Sequence, residues 1–158
     1  MIRIIAVGKC REKAMRSLIN EYQKRLQPLV KSELIEVADE IAPQTLSRAQ
    51  MEQVKDREGE RILKKIRPND FVILLDLQGL MLSSEELAEK IDRVQTYETG
   101  DITFVIGGSL GLSEKVQLRA NFRWQLSSLT FPHQLVRVLL YEQLYRVFTI
   151  LHHIPYHK

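Results

Sequence analysis

The chain has 158 residues, 44% of them hydrophobic and 27% charged, with a formal net charge of +3, which is the composition of a globular chain with one core rather than of a disordered or fibrous one. No apolar run approaches the roughly 18 residues of a membrane span, and the apolar start, Ile2 to Val7, is interrupted too soon by Gly8-Lys9 to read as a signal peptide. Cys10 is the sole cysteine, which excludes an intrachain disulfide and a cysteine metal site and fits a reducing, cytoplasmic setting.

Residues 2–7 read as a strand ending at Gly8. Residues 12–27 read as a helix with Met15, Leu18, Ile19, Tyr22 and Leu26 on one face and Pro28 closing it. Glu33 to Ala38 alternates as a second strand, and a loop follows through Pro43. Ser47 and Gln50 form a capping box that opens a charged helix running towards Arg67. Pro68-Asn69-Asp70 is a turn. The next strand, Phe71 to Leu75, is apolar throughout, a pattern of burial on both faces as in a parallel sheet. Ser83 and Glu86 make a second capping box, for a helix to about Tyr97. Another buried strand, Ile102 to Ile106, leads into Gly107-Gly108-Ser109-Leu110-Gly111. A short helix over about 113–121, a short strand at 124–127 and a final helix from near Pro132 to roughly His152 complete the chain. With no linker or repeat, this alternation predicts a single α/β domain over residues 1–158 with a mostly parallel sheet.

The charge is unevenly placed. Residues 1–31 carry eight Lys/Arg against two Glu, and residues 119–158 carry five Lys/Arg against one Glu together with all four histidines. Two basic ends on a near-neutral chain suit a polyanionic partner; the other reading is an ordinary solvated helix surface. Lys9, Arg11, Lys13 and Arg16 fall at a strand end and the first turns of a helix, where several can share one surface and contact phosphates.

Ligands of open α/β sheets bind outside the carboxyl ends of the strands. Three loops sit there: Asp76 to Gly79, Gly107 to Gly111, and Ser127 to Phe131. Taken singly, a glycine after a strand is only a turn. The glycines read Gly-Gly-x-x-Gly late in the chain, which disfavours a dinucleotide-binding oxidoreductase, and neither a phosphate-binding P-loop nor a nucleophile elbow is present. The histidines lack metal-ligand spacing, so no metal is expected.

Taken together, Leu75-Asp76-Leu77-Gln78-Gly79, Phe104 to Gly111, Leu126 to His133, Arg137, Glu142, Tyr145-Arg146 and the ending Pro155-Tyr156-His157-Lys158, with Ala6-Val7-Gly8-Lys9 at the start, resemble the ribosomal RNA large subunit methyltransferase H family of the SPOUT superfamily over nearly the whole chain. The resemblance implies a SPOUT fold with a C-terminal trefoil knot, which general folding rules would not suggest. It implies a homodimer, S-adenosylmethionine as cofactor, and methylation of N3 of a pseudouridine in helix 69 of 23S ribosomal RNA within the assembled ribosome. On this sequence it maps the cofactor pocket to Leu75, Gly107, Leu126, Ser127, Ser128, Leu129, Thr130 and Phe131. An imide N–H is a poor nucleophile while protonated, so a base or anion-stabilising group is needed. His133, at the start of the last helix, is the first candidate; Tyr156 and His157 are others, with Arg137 and Lys158 as cations for the RNA. The last helix is apolar on more than one stripe, which suggests a partner subunit or packing inside the core. A non-catalytic RNA-binding or ribosome-associated protein with the same basic surface is the alternative.

Overall fold

The computed structural model describes residues 1–41 and 44–158. Its elements are β1 (Ile2–Val7), α1 (Lys13–Leu26), β2 (Ser32–Val37), α2 (Arg48–Lys65), β3 (Phe71–Met81), α3 (Ser84–Tyr97), β4 (Ile102–Ile106), α4 (Glu114–Arg119), β5 (Phe122–Gln125) and α5 (His133–Leu151). The expected loop through Pro43 ends on residues 42 and 43, which lie outside the described residues. Among the described residues one sheet carries the strands in the order β2-β1-β4-β3-β5, with each pairing parallel. This is the α/β class with a mostly parallel sheet that the strand–helix alternation predicts.

The central strands β1 and β4 are buried along their whole length. Their alternation divides the core: Ile2, Ile4, Ala6, Phe104 and Ile106 join the cluster that includes residues of α1, α3 and α5, while Ile5, Val7 and Val105 join the cluster that includes residues of α2 and the start of α4. Both predicted capping boxes close as expected. Ser47 Oγ accepts the Gln50 N–H and Gln50 Oε1 accepts the Ser47 N–H; Ser83 and Glu86 do the same. In α1, Ile19 and Leu26 are buried, but Leu18 is turned out to 45% exposure, since the inward stripe is narrower than the sequence suggests.

Two strand boundaries differ from the sequence reading. β3 continues to Met81, but Leu75 and Leu80 both pair with Trp124, so residues 76–79 bulge out of the ladder. β5 begins at Phe122 rather than Trp124 because Asn121 acts as a strand start: its backbone N–H donates to the Val72 carbonyl and its Oδ1 accepts the Val72 N–H. The apolar excess of α5 also has an answer inside the chain. The helix packs against both α1 and α3, and Val138, Leu140, Tyr141, Leu144, Val147 and Phe148 are all buried there. Two apolar stripes therefore do not by themselves call for a second subunit.

One polar cluster interrupts the sheet. The register sets Arg3 opposite Glu33 on one side and Thr103 on the other. Arg3 Nε donates to Glu33 at 2.8 Å, and Asp70 Oδ2 accepts from Arg3 Nη1, Thr103 Oγ1 and the Arg67 backbone N–H, each at 2.9 Å. Arg3 and Asp70 are both 4% exposed. Removing one partner of a buried pair strands the other, so Asp70→Ala should cost about 3–5 kcal/mol in urea denaturation. A loss below about 1 kcal/mol would mean that Glu33 and entering water satisfy Arg3 unaided.

Candidate functional site

A cavity of about 430 Å³ opens where the bulge of β3 and the carboxyl ends of β4 and β5 meet the start of α5. Leu75, Gly107, Leu126, Ser127, Leu129, Thr130 and Phe131 all line it, and so do Asp76, Ile106 and His133; Ser128 does not. Residues spread over more than fifty positions of sequence therefore converge at the end of the sheet where α/β folds bind ligands. The lining mixes apolar side chains with main-chain groups and a few polar ones, the usual character of a small-molecule site.

Each loop has its own local cause. In the bulge, Asp76 Oδ1 accepts the Gln78 N–H and Asp76 Oδ2 pairs with Arg123 Nε at 2.6 Å and Nη2 at 2.5 Å. Gly79 completes it: a Cβ there would lie 2.5 Å from the Arg123 carbonyl, so only glycine lets the bulge rejoin β5. After β4, the Gly111 N–H donates to the Gly108 carbonyl, with Gly111 at φ +91, a tight turn that favours glycine. In the third loop Ser127 Oγ accepts the Leu129 N–H at 3.0 Å.

A second cavity, about 160 Å³, adjoins the first. Gly108, Ser109 and His133 line both, and the smaller one is also lined by Lys9, Arg11, Glu58 and Arg137. The basic segment, distant in sequence from the three loops, is thus their neighbour in space. Lys9, Arg11, Lys13 and Arg16 are all exposed. Arg137 is not. It is 1% exposed, with Nη1 on Glu36 at 2.6 Å and Nη2 on the carbonyls of Val7 and Gly8 at 2.9 and 2.8 Å, so its charge is spent on joining α5 to the ends of β1 and β2.

The C-terminal candidates lie elsewhere. Tyr156 packs edge-on against Tyr145, under the Arg146 guanidinium, and its hydroxyl donates to Glu142 at 3.1 Å. His157 Nδ1 meets Arg146 Nη1 at 3.1 Å, and His157 Nε2 meets Glu85 at 2.5 Å. The hydrogen bond with His157 holds the Glu85 carboxyl below its usual range. Arg146 is thirteen residues along α5 from His133, about 20 Å at 1.5 Å per residue. Within one chain, then, the structure brings His133 to the pocket but not Tyr156, His157 or Lys158.

The sequence reading missed Glu58 and Arg123. Glu58 is 5% exposed, and burial pushes its carboxyl up from the usual range. The one signal was its neighbour Gly59, a glycine inside a helix, which marks close packing: a Cβ there would lie 2.3 Å from Ser113 Oγ, the cap of α4.

Comparison with known proteins places the chain among relatives. The family model described as "Predicted SPOUT methyltransferase" matches residues 1–157. The chain is 54% identical to the ribosomal RNA large subunit methyltransferase H of Bacillus pumilus (strain SAFR-032), over 99% of both chains. It is 52% identical to the protein of that name from Latilactobacillus sakei subsp. sakei (strain 23K), again over 99% of both, and 50% identical to that of Desulfitobacterium hafniense (strain DSM 10664 / DCB-2), over 99% of this chain and 98% of the relative.

Burial raises the Tyr141 and Tyr156 hydroxyls to about 12, with Glu142 adding to the effect at Tyr156. Because both values lie above the unfolded one near 10, their contribution to stability is full below about pH 10 and is lost as pH rises through 12. In a spectrophotometric alkaline titration two of the five tyrosines should ionise late, together with unfolding, and Tyr156→Phe should remove one of them. Ionisation of all five in one early step would refute the packing of the tail.

Proposed function

We propose a function from one premise: the chain belongs to the SPOUT methyltransferase family. On that premise it is an S-adenosylmethionine-dependent methyltransferase of large-subunit ribosomal RNA, acting on N3 of a pseudouridine in helix 69 of the 23S RNA in the assembled ribosome. The observation that carries this reading is the convergence of the β3, β4 and β5 loops on one cavity with exposed cations beside it. The match to relatives named for ribosomal RNA methylation supports the substrate class.

The residues present fit the cofactor. At about 430 Å³ the cavity is within the range of small-molecule sites. Leu75, Leu126, Leu129 and Phe131 offer an apolar slot for an adenine, and Gly107 and its neighbours offer main-chain groups without obstruction. When bound, S-adenosylmethionine supplies an already activated methyl group. The chain's own work is to hold the target base in line and exclude water. Lys9, Arg11, Lys13 and Arg16 hold phosphates, which positions the RNA without reading bases. His133, on the wall common to both cavities, touches the reacting base. Tyr156, with its hydroxyl pushed up to about 12, stays protonated and so serves as a donor or stacking surface rather than a base.

The same reading makes the active particle a homodimer, in which the tail residues Tyr156, His157 and Lys158 of one copy act at the pocket of the other, since they cannot reach their own. The exposed apolar side chains Leu77 and Leu129, 55% and 66% exposed at the rim of the large cavity, support an apolar contact there. The C-terminal trefoil knot of the superfamily belongs to this reading as well.

Ribosomes from cells lacking the protein should lose one methyl group from helix 69 by mass mapping; retention defeats the reading. A Cβ at Gly107 would come within 2.9 Å of the Leu112 side chain and 3.3 Å of the Gly111 backbone, so Gly107→Val should displace the glycine loop. Calorimetry should then show at least a tenfold loss of S-adenosylmethionine affinity, about 1.4 kcal/mol, in a folded protein. Unchanged affinity would remove Gly107 from the pocket. Neutralising Lys9, Arg11, Lys13 and Arg16 together should leave that affinity intact while weakening ribosome binding and flattening its salt dependence. An unaltered salt slope would make the segment a solvated face only.

A further inference from the structure

Glu58 lies in the middle of α2, buried on the wall of the smaller cavity. Its Oε2 accepts the Glu40 backbone N–H at 3.0 Å, but its Oε1 is buried with no hydrogen-bond partner among the described residues. Arg137, which lines the same cavity, leaves its buried Nε without an acceptor. An unmet acceptor and an unmet donor, both buried on residues that line one cavity, are costly unless something supplies their partners. The edge of an imide does so, presenting an N–H flanked by carbonyl oxygens. At about 160 Å³ the cavity suits a single ring rather than a nucleotide cofactor. It shares Gly108, Ser109 and His133 with the larger cavity, so a ring inside it lies beside whatever fills the other. Lys9 and Arg11 border it, where the phosphates of an extruded nucleotide would run.

We infer that the smaller cavity receives the base to be methylated and that Glu58 accepts its imide proton, with Arg137 Nε donating to a flanking carbonyl. The inference rests on the methyltransferase reading above. A Cβ at Gly108 would fall 2.9 Å from Oε1, so the glycine turn lies against this oxygen, and the inference requires the turn 108–111 to shift for the base to reach it. In the reaction the proton passes from nitrogen to Glu58, and the nitrogen's electron pair forms the bond to the methyl carbon. The carbon–sulfur bond breaks with its pair left on sulfur. The products are an N-methyl imide, a thioether and a protonated Glu58, which returns its proton to solvent. Burial raises the carboxyl most; the Glu40 N–H and Arg61 oppose this, while Asp39 and Glu40 add to it. Across the cavity Lys9, Arg11, His133 and Arg137 are the other groups that carry or take up charge. A raised carboxyl is better matched to a weakly acidic imide than an ordinary one.

Glu58→Gln keeps the shape and the acceptor for the Glu40 N–H. Without cofactor, the wild-type protein should bind unmethylated ribosomes more tightly than ribosomes already methylated at N3, and E58Q should lose that preference. With cofactor, single-turnover methylation by E58Q should fall by about 100-fold or more, and the acidic limb of its pH profile should vanish. Calorimetric affinity for S-adenosylmethionine should be unchanged. A folded E58Q with wild-type rate, pH profile and preference overturns the inference. So does a rate loss accompanied by lost cofactor binding, which would make Glu58 only a support of the glycine loop. If E58Q does not fold, Glu58→Asp decides: a displaced acidic limb supports the inference and a wild-type limb overturns it. Failure of the wild-type protein to methylate these ribosomes overturns the underlying function instead, and is seen before any variant is tested.

Discussion

Arg137 reaches from the second turn of α5 to Glu36 and to the carbonyl oxygens of Val7 and Gly8, and these contacts hold a charge almost wholly out of water. Such an arrangement is weak evidence for net stability, because desolvation offsets much of the attraction. Its value is geometric. A planar guanidinium with fixed donors tolerates little displacement, so the start of α5 is held against the ends of β1 and β2. His133 lies one turn earlier, and its place on the wall between the two cavities follows from that anchor. Cys10 Sγ and the Glu12 N–H, both donating to Gln134 Oε1, add a second tie between the basic segment and the same helix turn.

The elements and their order were legible because burial on both faces writes a plain signal. β3 is an unbroken apolar run as far as Leu75, β1 and β4 are apolar but for Arg3 and Thr103, and the serine caps of α2 and α3 announce their own helix starts. Boundaries set by a single polar side chain were not legible. Asn121 begins β5 by borrowing both hydrogen bonds of Val72, and nothing in its immediate neighbours marks that use. In sequence the bulge at 76–79 reads as a loop, which captures its exposure but not the return to Trp124.

The candidate site divides in the same way. The three loops could be named from glycines after strands, since position at a strand end is a matter of order along the chain. Whether a cation faces water is not. Arg137 and Lys9 look alike in sequence, yet one is interior and the other exposed, because only the first lies beside strand-end carbonyls that need a donor. Glu58 sits in the most charged helix of the chain and reads as surface. Its burial is decided by α4 and the glycine turn, which lie some fifty residues further on.

The position of α5 has a consequence for the history of the chain. It is made after the other nine elements of the described residues, and it supplies Val138, Leu140, Tyr141, Leu144, Val147 and Phe148 to the larger of the two cores. Until it emerges, the apolar faces of α1 and α3 and the inner edges of β1 and β4 have nothing to cover them. The contacts it closes span most of the sequence, as Gln23 to Tyr141 and Gly8 to Arg137 illustrate. Chains whose cores wait on distant partners fold slowly and pass through states with exposed apolar surface. Truncated or stalled chains lacking this helix should therefore be prone to aggregate, and the nascent protein should depend on being shielded until α5 is free.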